Sequence, residues 1–428
     1  MDKDNILRNT GWWIIIVLSL IPVLFILPGL SFSVSKTGDM LGLTGFAMFA
    51  VVIILSGRTK FIERFFNGVN DGYTAHHFFG GLAFVLLLFH PLLLAYDYLL
   101  VSVQAAAMFL LPSADWAQIF GTIALTVMTA TLVITFYMKI RYQIWKFSHK
   151  FMGLAFGFAF FHVFFIGGDV GLNYGLKIYL LILSVLAIII YFYRSLFSSF
   201  LVKTYQYVIE DVKPFEDKIW EASLKPANGK AIRFEPGQFA FVKFSSKVLS
   251  REAHPFSFSS PDGENLKIAI KEAGDYTKKI GGLTKGEIAD IEGPFGIFSF
   301  KNIENQKQIW VAGGVGITPF LSMLRSLGQA DQNYKIDFYF SVRDKSCIAF
   351  KEEIESIAKI NKNLNVIFWT SDTNGFISAE KIKLRTSDIM QRDILICGPD
   401  AMMLALKNQF LRMGLKKEEV HTEEFKLY

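Results

Sequence analysis

Four histidines in two pairs, His76 with His90 and His149 with His162, sit inside segments otherwise built from Phe, Leu, Ala and Gly. A polar, titratable ring at membrane depth is expensive and is kept there for a purpose. The first pair is 14 residues apart and the second 13. At about 1.5 Å of rise per residue each pair spans roughly 20 Å, most of the hydrocarbon thickness of a bilayer. Two helices, each offering one imidazole near each face, can hold two metal centres stacked across a membrane. The alternative for any one such ring is an interhelical hydrogen bond.

The apolarity that surrounds these rings is unevenly spread. Of the 428 residues 52% are hydrophobic and 43 are Phe, but residues 1–200 contain nearly all the long apolar runs, whereas 201–428 is charge-rich. Two solvent classes within one chain imply at least two domains. The net charge of +6 does not point to nucleic acid, because Lys and Arg cluster beside the apolar runs and form no stripe interleaved with aromatics. The two cysteines, Cys347 and Cys397, supply neither a disulfide framework nor a CxxC pair, which excludes iron–sulfur chemistry. The run starting at Gly11 lacks an A-x-A-like cleavage site and is expected to remain as a helix.

Six runs are long enough to cross a bilayer, at about 11–31, 39–57, 76–97, 117–138, 149–167 and 174–194. Arg58, Lys60 and Arg64 follow the second, Lys139, Arg141, Lys146 and Lys150 follow the fourth, and Arg194 and Lys203 follow the sixth. The opposite loops carry almost none. The positive-inside rule then places both termini and the charge-rich half in the cytosol. The third and fifth runs both lead outward, so topology pairs His76 with His149 on the inner side and His90 with His162 on the outer. Bis-histidine haem is the natural occupant, of b type because no C-x-x-C-H attachment motif occurs. One point resists. Fourteen steps of about 100° return to within some 40° of the starting face, but 13 land about 140° away. The fifth run is therefore expected to be tilted or distorted, with Gly153 and Gly157 permitting it. His77 would also give a 13-residue spacing to His90; His76 is preferred because 14 keeps one face, with His77 as a neighbour or propionate partner.

Beyond a linker near 196–205 the pattern changes to short β segments punctuated by Pro-Gly and Pro-Asp-Gly, which suits a small antiparallel barrel. From about 307, strands alternate with helices, the rhythm of a parallel α/β nucleotide domain. There Gly313, Gly314 and Gly316 close a strand and open a helix, where backbone N–H groups and the helix dipole can hold a pyrophosphate, although a tight strand–helix connection reads the same way. Cys397, Gly398 and Pro399 end a later strand, where a small thiol lets a flat nicotinamide approach. Ser341 and Arg343 end another, and the Arg is placed either to meet a 2′-phosphate or simply to be solvated. In the barrel, His254, Pro255, Phe256 and Ser257 suit the edge of a flat heteroaromatic ring, and Gly274, Asp275, Tyr276 and Thr277 a second phosphate.

Taken together these elements resemble the ferric reductase/NADPH oxidase superfamily over nearly the whole chain. HHFFG and HKFMG are similar to the histidine–glycine pattern of its transmembrane domain, HPFSFSS and GDYT to its flavin motifs, and GGVGITP, SVRD and CGPDAMM to its nicotinamide elements. The resemblance implies a six-helix transmembrane haem bundle over 1–200, a cytosolic antiparallel FAD barrel over 201–302 and an NADPH-binding α/β domain with a parallel sheet over 303–428. It implies His76 and His149 as inner haem ligands and His90 and His162 as outer ones. FAD would be bound by His254, Pro255, Phe256, Ser257, Ile270, Gly274, Tyr276 and Thr277. NADPH would be bound by Gly313, Gly314, Gly316, Thr318, Pro319, Ser341, Arg343, Cys397, Gly398 and Pro399. Cys397 and Ser257 would act in catalysis, with Phe425, preferred over Tyr428, covering the flavin ring.

The activity so implied is an NADPH oxidase of the plasma membrane, passing electrons through FAD and two b-type haems to external dioxygen as superoxide. A ferric-chelate reductase is the close alternative, and a membrane subunit serving a quinone or an extracytoplasmic reductase the more distant one. No EF-hand loop or other regulatory module is visible, so a constitutively active bacterial enzyme without a regulatory subunit is expected. The outer part of the second run, LGLTGFAMFAVV, lacks the arginine that eukaryotic oxidases place near the outer haem.

Overall fold

The computed structural model describes residues 10–27, 33–111, 115–138, 140–263, 265–327 and 333–424. They form two compact units, Met1–Val202 and Lys203–Tyr428.

The first unit is helical. Its principal helices are α1 (Gly11–Ile26), α2 (Val34–Leu55), α3 (Val69–Leu99), α4 (Trp116–Tyr137), α5 (Tyr142–His149), α6 (Phe151–Phe165) and α7 (Tyr174–Tyr191), the last continuing as a π-helical turn to Leu196. Among the described residues four of these helices, α2, α3, α4 and the extended α7, are long and apolar enough to cross a membrane. Within the described residues the first expected span contains a helix of 16 residues and the fifth one of 15.

Helix α2 is the hub. It is buried on every side from Leu43 to Ile53, as an apolar helix must be when neighbours surround it. Lipid tails offer helices no hydrophobic reward for associating, so close packing has to hold the bundle together. Small residues permit it. A Cβ on Gly45 would lie 2.9 Å from Leu87, and one on Gly38 3.1 Å from Leu93, both residues of α3. Across the other face, Phe46 stacks on Phe156 of α6 with ring centroids 5.3 Å apart and planes within 4°.

The expected distortion of the fifth run lies at Lys150, three residues before Gly153. There the Lys150 N–H donates to Phe147 O and the Gly153 N–H to Lys150 O, both at 3.1 Å and both across three residues instead of four. Residues in such a tight turn advance by about 120° instead of 100°. That over-rotation is in the sense needed to bring His149 round toward the face of His162. The Tyr191 hydroxyl donates to Lys150 O at 2.8 Å, and Gly153 leaves space for that ring, since a Cβ there would fall 2.1 Å from it. Gly153 thus acts by admitting Tyr191; Gly157 faces open space.

The second unit holds two sheets. Strands β1 (Tyr205–Phe215), β2 (Ile219–Pro226), β3 (Phe239–Ser245), β4 (Ala253–Ser257), β5 (Leu266–Lys271) and β6 (Ile288–Phe295) pair antiparallel in the order β4-β3-β6-β1-β2-β5. A bridge between Phe258 and Ile268 joins the two edges into a barrel around Tyr207, Phe244, Phe258 and Ile268. Strands β7 (Lys307–Gly313), β8 (Lys335–Val342), β9 (Leu364–Thr370), β10 (Asp393–Cys397) and β11 (Val420–Glu423) form a parallel sheet in the order β11-β10-β7-β8-β9. Its inner strands, QIWVAG and ILIC among them, are buried along their length, as strands covered on both faces must be. Helices α8 (Ile317–Leu327), α9 (Lys351–Ile360) and α10 (Asp400–Arg412) supply cover.

One buried cation stitches barrel to sheet domain. Arg325 on α8 donates to Glu221 of β2 at 2.6 Å, to the Ser259 carbonyl at 2.7 Å and twice to Glu353 of α9, at 2.7 and 2.8 Å. Its side chain is 9% exposed and that of Glu221 5%. Breaking such a pair strands a charge away from water, which costs about 3–5 kcal/mol. Arg325→Met is expected to lower the stability of the 203–428 unit by about that much in urea unfolding, and Arg325→Lys to restore only part because it loses the bidentate grip on Glu353.

Candidate functional site

In the helical unit the histidines meet in two pairs. His76 of α3 and His149 at the end of α5 have ring centroids 6.3 Å apart, and so do His90 of α3 and His162 of α6. His77 stands edge-on to His76 at 5.7 Å. The rings are held from behind. His76 Nδ1 lies 3.0 Å from Val52 O, His90 Nδ1 2.8 Å from Gly38 O, and His162 Nδ1 2.7 Å from Ala117 O. A carbonyl only accepts, so each of these Nδ1 atoms carries the proton and donates it, which leaves Nε2 with a free lone pair. His149 differs: its Nδ1 is buried without a partner among the described residues, and its ring stacks on Trp145 at 5.5 Å.

Two glycines missed in the sequence reading make this possible. A Cβ on Gly42 would lie 2.6 Å from His90 Nδ1, and one on Gly121 2.8 Å from His162 Nδ1. Each follows by four residues the carbonyl that takes the ring's proton. On α2 and on α4 the same pattern, acceptor then glycine one turn later, seats an imidazole from the next helix. A glycine inside an apolar helix one turn after that carbonyl is the signal that was available.

The pairs fit a metal that brings its own equatorial ligands. Two metal–imidazole bonds of about 2 Å each leave about 2 Å of the observed separation for the two ring radii, the space two imidazoles occupy when they face each other across one ion. Among the described residues no group of three or more His, Cys, Asp or Glu could hold an ion. Two ligands per centre suit a macrocycle and do not suit a bare cation.

In the second unit, the glycines of the β7–α8 turn separate into two kinds. A Cβ on Gly316 would strike Cys397 O at 2.2 Å, and one on Gly313 would meet Met402 and Pro399, so these two serve close packing of strand ends. Gly314 alone has a positive φ, +53°, with open space before it. It is the glycine over which a phosphate can approach the backbone N–H groups at the start of α8. Thr318 and Pro319 are buried in the first turn of that helix. Ser341 pairs in register with Gly313, and Arg343 lies just beyond, its side chain 82% exposed and its Nε donating to Asp344 at 3.0 Å. Cys397 is buried where β10 ends, followed by Gly398, packed against Gly313, and Pro399, which caps α10. Burial, with the nearby Glu423 carboxylate, pushes the Cys397 thiol well up, so it stays neutral.

On the barrel, His254 stacks against Tyr276 with centroids 3.9 Å apart, and Phe256 lies 6.3 Å from the same imidazole. Pro255 and Phe256 are half-buried; Ser257 is buried, with no partner for its hydroxyl among the described residues. An orphaned hydroxyl beside an aromatic wall fits a flat heteroaromatic ring that accepts a hydrogen bond. Gly274 faces open space, and the Thr277 hydroxyl accepts the N–H groups of Ala273 and Gly274 at 2.9 and 3.0 Å. Ile270 points the other way, into the barrel core. Phe425 and Tyr428 lie outside the described residues. Glu423, also missed, pairs in register with Cys397 and is buried; an acid just before the terminal aromatic was its signal. In the folded protein iodoacetamide at mildly alkaline pH is expected to label half-buried Cys347 and to spare Cys397 until denaturation, as read by peptide mass mapping.

Comparison with known proteins matches three segments of the chain. The ferric reductase like transmembrane component family matches residues 41–160, an FAD-binding domain family 211–308 and the oxidoreductase NAD-binding domain family 310–408. Flavohemoprotein B of Dictyostelium discoideum is 28% identical over 250 residues, covering 52% of this chain and 59% of that protein. The glycine betaine monooxygenase reductase subunit of Pseudomonas aeruginosa is 28% identical over 212 residues, covering 45% and 56%. The chain therefore spans less than two thirds of these relatives. Among solved structures, the flavohem-like FAD/NAD-binding domain of nitric oxide dioxygenase from Vibrio cholerae aligns with a TM-score of 0.46 and 20% identity over 51% of this chain and 97% of that one. The chain joins a ferric-reductase-like transmembrane component to an FAD-binding domain and an NAD-binding oxidoreductase domain, an arrangement that matches a ferric-reductase/NADPH oxidase-like fusion.

Proposed function

We propose that this protein is a transmembrane NADPH oxidase of the plasma membrane, taking electrons from NADPH on the cytosolic side and delivering them one at a time to external dioxygen. Per NADPH oxidised, one proton and NADP⁺ are released inside and two molecules of dioxygen become superoxide outside. The observation that carries the proposal is the pair of facing imidazole sets, each 6.3 Å between ring centroids, in a helical unit fused to flavin and nicotinamide domains. Two b-type haems would be held by His76 with His149 and by His90 with His162, in a six-span bundle over 1–200. The FAD domain then covers 201–302 and the NADPH domain 303–428. When bound, FAD supplies conversion of a hydride into single electrons, and haem supplies one-electron passage.

The chain's own work is positional. Gly314 and the N-terminus of α8 receive the pyrophosphate, and Arg343 the 2′-phosphate. The neutral, small Cys397 leaves a nicotinamide ring room at the end of β10. Ser257 donates its hydroxyl toward the flavin edge, with His254, Pro255 and Phe256 as its wall and Thr277 beside its phosphate. The three Nδ1–H bonds to Val52, Gly38 and Ala117 fix the ring planes and make Nε2 the ligating atom. His76 with His149 and His90 with His162 would hold the two haems, which would supply one-electron transfer to the external acceptor.

Purified protein supplied with FAD and NADPH should show a Soret band and reduce cytochrome c in a manner abolished by superoxide dismutase. Dismutase-insensitive reduction of ferric citrate would instead support the ferric-chelate reductase, and absence of a Soret band would sink both. His162→Leu is expected to lower reduction of the external acceptor more than about 100-fold while NADPH still bleaches the flavin. Gly42→Ala and Gly121→Ala should each lower haem retention by about tenfold, measured as the Soret-to-protein ratio after detergent extraction.

A further inference from the structure

The turn between β1 and β2 carries two consecutive residues in the left-handed backbone region, Asp217 at φ 57° and Lys218 at φ 56°. Hairpin turns of that shape normally use Asn or Gly, because a Cβ is strained there. Here an aspartate is kept, and its carboxylate pairs with Lys271 at the end of β5. Neither side chain is a free surface group, with 21% and 29% exposure respectively. The turn is also tethered beside its partner: the Glu272 N–H donates to Lys218 O at 3.0 Å, and Glu272 accepts the indole N–H of Trp220 at 2.8 Å.

Lys271 points at the nucleotide turn. Its Nζ lies 4.0 Å from where a Cβ on Gly314 would stand, the open side of the one β7–α8 turn glycine with a positive φ. A cation in that place faces whatever anion Gly314 admits. The field of Asp217 also reaches Arg343, whose guanidinium is held charged first by Asp344. The strained carboxylate thus sits among the cations that a dinucleotide's phosphates would require.

We propose that Asp217 is a built-in competitor of the dinucleotide pyrophosphate: it occupies Lys271 when the site is free, must release it when nucleotide binds, and so sets nucleotide affinity. This rests on the reading of Gly314 as the pyrophosphate site. A carboxylate carries less charge than a pyrophosphate, so exchange favours the nucleotide while the competition keeps its binding weak enough for rapid release of the oxidised product.

The test uses the FAD-loaded full chain in detergent and isothermal titration with NADP⁺ and, separately, inorganic pyrophosphate. Asp217→Asn, and Asp217→Ser as a second variant, should bind both probes about tenfold more tightly, the worth of one freed charge-assisted hydrogen bond. In a Lys271→Gln background the same change should have no effect. Lys218→Gly, which relieves strain without touching the carboxylate, should leave affinity as in the parent. Unchanged or weakened binding in both Asp217 variants, with flavin content equal to the parent, would overturn the proposal while leaving the nucleotide site intact. Failure of the parent itself to bind NADP⁺ or NAD⁺ would overturn the nucleotide reading and this proposal with it.

Discussion

An imidazole inside an apolar bundle has to surrender one of its two nitrogens before the other is useful, and the rest of this molecule follows from where that surrender is made. Three of the four rings give the Nδ1 proton to a backbone carbonyl of a neighbouring helix. In α-helices such carbonyls are already engaged, so a second donor must come in close from the side. For His90 and His162 the residue one turn on has no side chain, Gly42 and Gly121, and so leaves room for the ring; after Val52 that position is Ser56. The helix pairs α2–α3 and α4–α6 are therefore close because the histidines need them close. Gly38 and Gly45 extend the same contact along α2.

The charge-rich unit meets a different constraint, that two sheets of opposite construction must be held together. The barrel is antiparallel and closed; the nucleotide sheet is parallel and covered by helices. Arg325 joins them with a fully engaged guanidinium, anchored by Glu221 of β2 and Glu353 of α9. A buried charge tolerates little displacement, because each lost hydrogen bond exposes an unpaid desolvation penalty. The FAD-binding and NAD-binding domains are in this way joined through one buried ion-pair network.

Much of this was legible in the sequence, and the exceptions have physical causes. The histidine levels, the change from apolar to charged composition and the switch from short strands to alternating strand and helix all reflect periodicity, which survives without coordinates. Glycines did not, because a glycine's role is defined by what fills the space beside it. Gly313 and Gly316 suggested phosphate but pack against Met402 and Cys397, whereas Gly42 and Gly121 looked like ordinary membrane-helix glycines. Ile270, which the resemblance assigns to the flavin site, is turned by strand alternation into the core. Glu423 and Lys271 act through register and reach across the sheet edge, which no local window displays.

The break at Lys150 has a further consequence. Helix α3 bridges the two levels with 14 residues and no interruption, while the α5–α6 segment does so with 13 and one tight turn capped by Tyr191. Depth in the bundle is thus not a residue count but a count corrected by local winding. Two chains of this kind with different histidine spacings can build the same pair of sites. An alignment that inserts a gap to equalise the spacings would displace Gly153, the glycine that admits Tyr191 at the tight turn.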